Sequence, residues 1–368
     1  LYKELVYEKQ IATSVSAFYY DREIAGMFFL IADVVTGEDP AMVEQAMDDV
    51  MDKFIKRGPN TKQLKTQKTK TLAGFVRGIQ RIGGFGGKSD LLATCQTYTG
   101  DAGCYKKSIE YLDAATPAKM KATLAEWIDE TPYVLTILPN EKLGVNESSV
   151  DRTQGIPFPT EKVSFKFPKL QTATLSNGAK VVLAQRQGIP LVEMNFQFNF
   201  GYAQENNDEL GYTNFMMDML NEGTKKYSSL EFDSILGSLG SNIGFGSDLD
   251  TSFVSVSSLK SNLDQTLDLA KEAVMFPTFP SNEIARIKKQ TLAAFKRDEF
   301  RASSIAFRNI GKLLYGEDHP YGKLLIGAGV SETIQNIDAE KLSDLHKRAL
   351  NPQNLTFTVA GDISIDEI

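Results

Sequence analysis

Histidine and cysteine, which most often carry metal binding and nucleophilic catalysis, are scarce in this sequence. The two histidines, His319 and His346, stand far apart along the chain, so a single turn of helix cannot bring them together on one metal ion. Cys95 and Cys104 flank a turn-like T-G-D-A-G stretch. They form either a disulfide, which would contribute roughly 2–3 kcal/mol and indicate an oxidising compartment, or two unpaired thiols in a cytosolic protein. The spacing of these residues does not predict a shared site.

A glycine-rich stretch at residues 83–87 is the other candidate for chemistry. It consists of Gly83, Gly84, Phe85, Gly86 and Gly87. Backbone N–H groups of such a stretch can bind phosphate ahead of a helix, but the Lys-Ser/Thr pair of a P-loop is absent at the required spacing. Glycine also permits a sharp break between two helices, one expected to end near Ile82 and the next to begin near Asp90.

The composition is typical of a soluble globular protein and argues against nucleic acid as a partner. The 368 residues are 42% hydrophobic and 24% charged, and they suffice for two domains. The formal net charge is −7, whereas nucleic acids and anionic membranes attract clustered Lys and Arg. The best candidate for a membrane span, residues 27–35, is too short and contains Asp33, so it predicts a buried strand.

The sequence contains an internal repeat, in which residues 290–297 (QTLAAFKR) match residues 70–77 (KTLAGFVR). The helices and strands that position the candidate residues are therefore expected to occur twice. Each copy predicts a strand, an amphipathic helix, a long helix, a shorter helix and a closing strand. Thr116 and Asp338 suit the N-caps of the two shorter helices. In the first copy these elements span 27–35, 42–54, the region around 70–77, 116–128 and 133–138; in the second they span 251–259, 263–276, the region around 290–297, 338–350 and 355–360.

The predicted fold class is α+β, with two repeated domains. Each is expected to contain a mostly antiparallel sheet with helices packed on one face. Residues 139–169, rich in Pro, Gly, Ser and charge, predict a linker between the copies. The second copy opens with a hairpin-like segment at 173–183, where Asn177-Gly178 is a strong turn signal.

Residues 198–224, together with the strand-like segment 175–183, resemble the signature region of the pitrilysin/insulinase zinc peptidases, the inverzincins, which are related to the mitochondrial processing peptidase. In active members a helix carries H-x-x-E-H, so that two His four residues apart share one zinc ion. The Glu before the second His is the general base for the zinc-bound water. A second Glu on a later helix completes the ligands.

The resemblance implies that this chain lacks each of these groups. Asn214 takes the place of the first His, Met217 that of the Glu and Asp218 that of the second His. Ala293 and Ala294 stand where the distal Glu is expected. The helix is therefore expected to pack rather than to catalyse, with four apolar side chains available for a core: Phe215, Met216, Met219 and Leu220. No catalytic or metal-binding residue is predicted within the chain.

Family members consist of four related domains, two in each half, with a linker between the halves. Residues 1–17 and 83–90 are similar to the second domain of the catalytic half. The resemblance thus implies that residues 1–141 are the second domain, 142–170 the linker and 171–368 the third domain with its degenerate zinc motif. The zinc would be held by a first domain outside this chain, and the partners would be the first and fourth domains or a catalytic subunit.

The implied function is a non-catalytic portion of a zinc metalloendopeptidase that encloses peptides or unfolded proteins between two halves. This chain would form the chamber wall and would be inactive by itself, and Gly83, Gly84, Phe85, Gly86 and Gly87 would face the substrate. A second hypothesis is a non-catalytic scaffold or partner subunit, like the core proteins and inactive subunits related to processing peptidases. The expected location is the periplasm or another extracytoplasmic compartment of a bacterium.

Overall fold

The computed structural model describes residues 1–21, 25–128, 132–138, 169–323 and 325–368. The predicted linker, 142–170, lies outside these ranges except for its last two residues. No helix in the described ranges is long and apolar enough to cross a membrane.

The first copy begins with a short π-helical turn, Lys3–Glu8, and an antiparallel hairpin of β1 (Ala12–Tyr20) and β2 (Met27–Val34). Five helices follow among the described residues: α1 (Pro40–Arg57), α2 (Thr61–Gly78), α3 (Lys88–Thr99), α4 (Tyr105–Ala114) and α5 (Pro117–Trp127). Its small core contains Leu5, Val6, Ile11, Val43 and Ala46, all buried.

Local hydrogen bonds explain where these helices begin. The Asp39 side chain accepts the N–H of Ala41 at the start of α1, and Asn60 and Gln63 form a reciprocal capping box at the start of α2. Thr116 accepts the N–H of Lys119, which confirms its prediction as the N-cap of α5. The disulfide alternative for Cys95 and Cys104 is also the one realised, and it ties α3 to the start of α4.

The second copy contains a six-stranded mixed sheet. Its strands are β3 (Gln171–Thr174), β4 (Lys180–Gln185), β5 (Leu191–Phe198), β6 (Asn242–Ser247), β7 (Ser252–Leu259) and β8 (Leu355–Gly361). Their order across the sheet is β3-β4-β8-β5-β7-β6. Only the β4–β8 pair is parallel among the described strands, so the prediction of a mostly antiparallel sheet is confirmed for this copy.

The sheet of the second copy is apolar on one face. Val254 pairs with Phe196, which in turn pairs with Phe357, and these side chains point to the same side. The helices of this copy are α6 (Tyr212–Asp218), α7 (Ser229–Leu239), α8 (Leu263–Met275), α9 (Ser281–Asp298), α10 (Ala302–Tyr315), α11 (Ser331–Gln335) and α12 (Ala339–Ala349). Side chains of the sheet, α6, α9, α11 and α12 share one buried cluster, while Leu263 and Ala270 of α8 join the sheet in a second. The α+β class is confirmed.

Two expectations for the first copy are wrong. Residues 133–138 were expected to form its closing strand, but the structure assigns them no strand, and Leu135 and Ile137 are 68% and 83% exposed. Extended backbone becomes a strand only where a neighbouring strand satisfies its N–H and C=O groups. The long helix also ends at Gly78 rather than near Ile82, and α3 begins at Lys88.

Candidate functional site

The short helix α6 carries the positions that the sequence analysis compares with a metal motif. A buried carboxyl group, that of Glu205, binds backbone N–H groups at the start of this helix. Glu205 is only 3% exposed, and its side chain accepts the N–H of Gly211 at 2.8 Å and that of Thr213 at 2.6 Å. Gly211 adopts φ +88°, and a Cβ there would lie 2.6 Å from the Cα of Gly329. Glycine is therefore required at the start of α6 for both its conformation and the close approach of the 325–330 segment.

Burial sets the protonation of this carboxyl group. Loss of solvent raises the pKa of Glu205 to about 7, although the two backbone hydrogen bonds act in the opposite direction. Sequence inspection missed Glu205, because nothing in the surrounding polar stretch signals that this side chain is buried.

Both polar atoms of the Asn214 side-chain amide form hydrogen bonds. Its Nδ2 donates to the carbonyl oxygen of Gly327 at 3.0 Å, and its Oδ1 accepts from the Ser247 hydroxyl at 2.5 Å. The amide thus joins α6 to β6 and to the 325–330 segment. An Asn used in this way is a structural cross-link, and a metal ion would have to break both bonds to use its oxygen.

Met217 is fully buried, at 0% exposed, in the cluster that also contains Phe215, Met216, Met219 and Leu220. The expectation that these side chains form a core is confirmed. A thioether is not a base, and the Met217 side chain is enclosed by apolar neighbours. Met217 therefore cannot take a proton from a water molecule.

Asp218 is the only carboxylate among the replaced positions. The residue as a whole is exposed, yet the protein packed around its carboxyl group, and secondarily the charge of Glu222, raises its pKa to about 6. Ala293 and Ala294, on α9, carry methyl groups without a ligating atom. One carboxylate beside an occupied amide does not fit zinc, which requires three protein ligands and prefers nitrogen or sulfur donors. Within the described ranges, no group of three or more His, Cys, Asp or Glu is placed to hold a metal ion.

The two histidines have separate environments. The Nε2 of His346, on α12, lies 2.8 Å from the carbonyl oxygen of Val274, and burial lowers its pKa. The Nδ1 of His319 accepts the N–H of Tyr321 at 3.0 Å, and its ring stacks on Tyr315. His319 therefore supports its own loop, and His346 links α12 to the end of α8.

A buried ionic cluster connects the N-terminal turn to α9. Arg286, 4% exposed, binds Glu222 and Glu283, with its Nε 2.8 Å from the Glu283 carboxylate. The Tyr7 hydroxyl donates to Glu283 at 2.7 Å, and this hydrogen bond raises the pKa of Tyr7 to about 12. The cluster joins the two copies of the repeat, and the local sequence pattern does not indicate it.

The stretch 83–87 forms the connection between α2 and α3. Gly84 and Gly86 adopt φ +77° and +74°, and Phe85 projects into solvent at 94% exposed. The N–H of Gly86 is bound by the Asp90 side chain at 2.8 Å, and that of Gly87 by the carbonyl oxygen of Gly84. With these N–H groups used internally, the loop does not form a phosphate cradle, and Phe85 is its most accessible contact.

Beside this loop lies a cavity of about 580 Å³ between α2 and α7. Its cationic side chains are Lys70 and Arg77 from α2 and Arg81 from the connection that follows it, and its one carboxylate is Asp233. Arg77 also spans the boundary between the copies, donating to the carbonyl oxygen of Gly240 at 2.6 Å and to the Ser257 hydroxyl at 2.8 Å. The residues of 83–87 do not line the cavity.

The fold is a mixed helix–sheet domain, and the α6 positions that the sequence analysis compared with a metal motif are occupied by side chains that pack and form hydrogen bonds. Residues 180–326 match the model of the family described as insulinase, peptidase family M16. The resemblance to this family drawn from the sequence is therefore confirmed for this part of the chain.

Individual relatives agree with that assignment. The chain is 24% identical over 207 residues to the "Non-peptidase homolog YmxG" of Helicobacter pylori and 25% identical over 198 residues to an "Uncharacterized zinc protease" of Rickettsia felis. These matches cover 55% and 53% of this chain, and 47% and 46% of the relatives, so the chain spans about half of their length. A crystal structure of a peptidase M16 inactive domain from Pseudomonas fluorescens superposes with a TM-score of 0.51 at 30% identity, covering 54% of this chain and 48% of that one.

Proposed function

We propose that this chain is a non-catalytic portion of a zinc metalloendopeptidase of the insulinase family, and that it helps to enclose peptide substrates. The proposal rests on the side chains that occupy the compared positions on α6 and α9. Asn214 is hydrogen-bonded at both ends of its amide, Met217 is fully buried, and the α9 positions are alanine. The names of the Helicobacter and Pseudomonas relatives, a non-peptidase homologue and an inactive domain, support it.

The division of the chain follows from the same proposal. Residues 1–141 are the second of four family domains, 142–170 the linker and 171–368 the third. Zinc and its H-x-x-E-H helix belong to a domain outside these residues, where the metal would activate water. The contribution of this chain is to bind, orient and enclose an extended peptide.

Phe85 is the side chain that we assign to peptide contact. It stands 94% exposed between glycines of positive φ, so an aromatic ring is displayed without packing against its own domain. The cationic wall of the neighbouring cavity, from Lys70, Arg77 and Arg81, favours acidic groups of a peptide.

Peptide binding and cleavage by the purified chain test the proposal. A fluorescein-labelled unfolded peptide is titrated with the chain and followed by anisotropy, and the mixture with added zinc is examined by mass spectrometry. We expect saturable binding and no cleavage. Phe85→Ser should weaken binding roughly tenfold, since it removes about 1.5 kcal/mol or more of apolar contact. The control Leu313→Ser, at an 81% exposed position on α10, should bind as the parent does.

Cleavage of the peptide by the chain alone would contradict the non-catalytic assignment. Equal binding by Phe85→Ser and Leu313→Ser would contradict the role of the 83–87 loop. Absence of any binding would contradict peptide enclosure.

A second candidate is a scaffold or partner subunit without any peptidase function. The description of the Helicobacter relative as a non-peptidase homologue is compatible with this candidate as well. The two candidates differ in the whole encoded protein. An intact H-x-x-E-H and zinc-dependent hydrolysis of unfolded peptides support the first, whereas their absence from the whole protein supports the second.

The Cys95–Cys104 disulfide supports an oxidising location, such as the periplasm of a bacterium. Alkylation of free thiols in freshly lysed cells tests this part of the proposal. Both cysteines should resist alkylation until a reductant is added, and immediate labelling of both would contradict an extracytoplasmic location.

A further inference from the structure

The side of α2 that lines the cavity against α7 carries cations and glycines rather than apolar side chains. Lys70, Gly74, Arg77 and Gly78 stand at positions i, i+4, i+7 and i+8, which lie on one side of a helix. The two glycines leave the helix backbone bare between the cationic side chains. The resulting cavity of about 580 Å³ falls within the range of about 300–1,000 Å³ that is usual for small-ligand sites.

Glycines on the facing wall determine where this cavity is narrow and where it is open. A Cβ at Gly237 of α7 would lie 2.4 Å from the Cε of Lys70, and a Cβ at Gly240 would lie 2.9 Å from the Cβ of Ala73. The two walls therefore approach each other closely at these points. A Cβ at Gly74, in contrast, would meet no atom within 4 Å, so the open space lies beside Gly74.

The lining of the cavity has an excess of positive charge. Three cationic side chains, those of Lys70, Arg77 and Arg81, share it with the single carboxylate of Asp233. The side chains of Lys70 and Arg81 form no hydrogen bond or ion pair with another described residue. These two cations therefore lack a partner within the part of the chain that the structure describes.

Arg77 is the cation whose position the protein fixes. Its Nε donates to the Ser257 hydroxyl and its Nη2 to the carbonyl oxygen of Gly240, whereas its Nη1 forms no hydrogen bond with the described residues. Burial lowers the pKa of Arg77, and the charge of Glu193, which lies beyond Ser257 and outside the lining, acts in the opposite direction. A guanidinium group held in place with N–H groups unused is well suited to bind an oxyanion.

We propose that this cavity binds a small ligand through a compact group with two negative charges, a phosphate or two neighbouring carboxylates, held by Lys70, Arg77 and Arg81. A dianion balances the lining, because three cations against one carboxylate leave two positive charges. The inference goes beyond the proposed function, since it assigns a site for a small ligand. It does not require that the chain binds peptides.

Equilibrium dialysis against radiolabelled inorganic phosphate tests the site. The ionic strength is kept low, because salt screens exposed charges. We expect saturable binding. Lys70→Glu should lower the affinity at least about tenfold, because a charged hydrogen-bond donor is lost and a negative charge enters the cavity. The control Lys65→Glu makes the same charge change at an exposed position of α2 outside the lining and should bind phosphate as the parent does.

A second variant, Gly74→Leu, fills the cavity without removing a charge. Its side chain enters open space, and a helix interior favours Leu over Gly, so the variant should be at least as stable as the parent. It should nevertheless lose saturable phosphate binding. Urea unfolding of each variant checks that the fold is retained.

Competition with the bound phosphate identifies the source of the dianion. Succinate should displace phosphate in either case. Displacement by an acidic peptide as well would identify a polypeptide as a carrier of the group, whereas displacement by succinate alone would identify a free small molecule. Non-saturable phosphate binding by the parent would overturn the proposal. Equal affinities of Lys70→Glu and Lys65→Glu would also overturn it, as would unchanged binding by Gly74→Leu.

Discussion

A single buried carboxyl group, that of Glu205, makes the stability of α6 dependent on pH. Its pKa in the folded protein is about 7, above the value near 4.5 of an unperturbed glutamate. The folded state therefore binds the proton more tightly than the unfolded state does. The resulting stabilisation is fully present below about pH 4.5 and is lost as the pH rises through about 7.

We predict that Glu205→Gln removes this dependence. Between pH 4.5 and 7.5, the free energy of unfolding of the parent should fall by roughly 2–3 kcal/mol relative to the variant. Urea unfolding at several pH values measures the difference. The exposed Glu340→Gln on α12 is the control and should follow the parent at every pH. A constant difference between Glu205→Gln and the parent would show that the carboxyl group does not titrate in this window.

Arg286 is the residue on which the buried ionic cluster depends. Its replacement by Met leaves the carboxylates of Glu222 and Glu283 without their cation in a largely dry environment. Arg286→Met should therefore lower the free energy of unfolding by about 3–5 kcal/mol, as measured by urea denaturation. Arg348→Met, which breaks a more exposed pair with Glu209, should cost less than about 1 kcal/mol. Similar losses of unfolding free energy in Arg286→Met and Arg348→Met would contradict the burial of the cluster around Arg286.

At the scale of elements, α6 shows how far a helix can be understood from its sequence. The sequence shows directly that α6 carries Asn214, Met217 and Asp218, which differ chemically from His and Glu. Met217 is buried, whereas the neighbouring Asp218 is exposed. The difference depends on which side of the helix packs on the sheet, and the sequence of the helix alone does not show that. The pairing of Asn214 with Ser247 and Gly327 depends on segments far away in the chain.

We predict that the general base of active relatives cannot simply be restored on α6. Met217→Glu would place a carboxyl group among apolar side chains without a partner. The expected loss is about 3 kcal/mol or more in the free energy of unfolding, together with a lower melting temperature. Asp218→Glu, one residue further along, should change the stability by no more than about 0.5 kcal/mol. A folded Met217→Glu protein of unchanged melting temperature would contradict the packing described for α6.

At the scale of the whole molecule, the two copies are joined through α2 and the sheet. Arg77 donates to the Ser257 hydroxyl, and that hydroxyl donates in turn to the Glu193 carboxylate at 2.7 Å. Together with the bond to Gly240, these contacts anchor the long helix of the first copy on the second. The Tyr7–Glu283 bond is a second connection between the copies.

A double-mutant cycle measures the first connection. Arg77→Ala and Ser257→Ala should each be destabilising, and their combination should cost about 1–2 kcal/mol less than the sum of the two. The same cycle with Arg81→Ala in place of Arg77→Ala should be additive, because Arg81 lines the cavity without bonding to Ser257. Additivity in the Arg77 cycle would mean that this contact does not connect the copies.

Most helices and the α+β class could be predicted from the sequence alone. The physical reason is that helix hydrogen bonds and caps join residues a few positions apart, as Thr116 and Asp338 show. Strand partners are distant, and only the tertiary structure decided that β8 pairs with β4 and β5 while residues 133–138, with a similar apolar pattern, remain unpaired. Burial is likewise a property of the assembled chain, and it alone decided the high pKa of Glu205 and the pairing of Arg286 with two carboxylates.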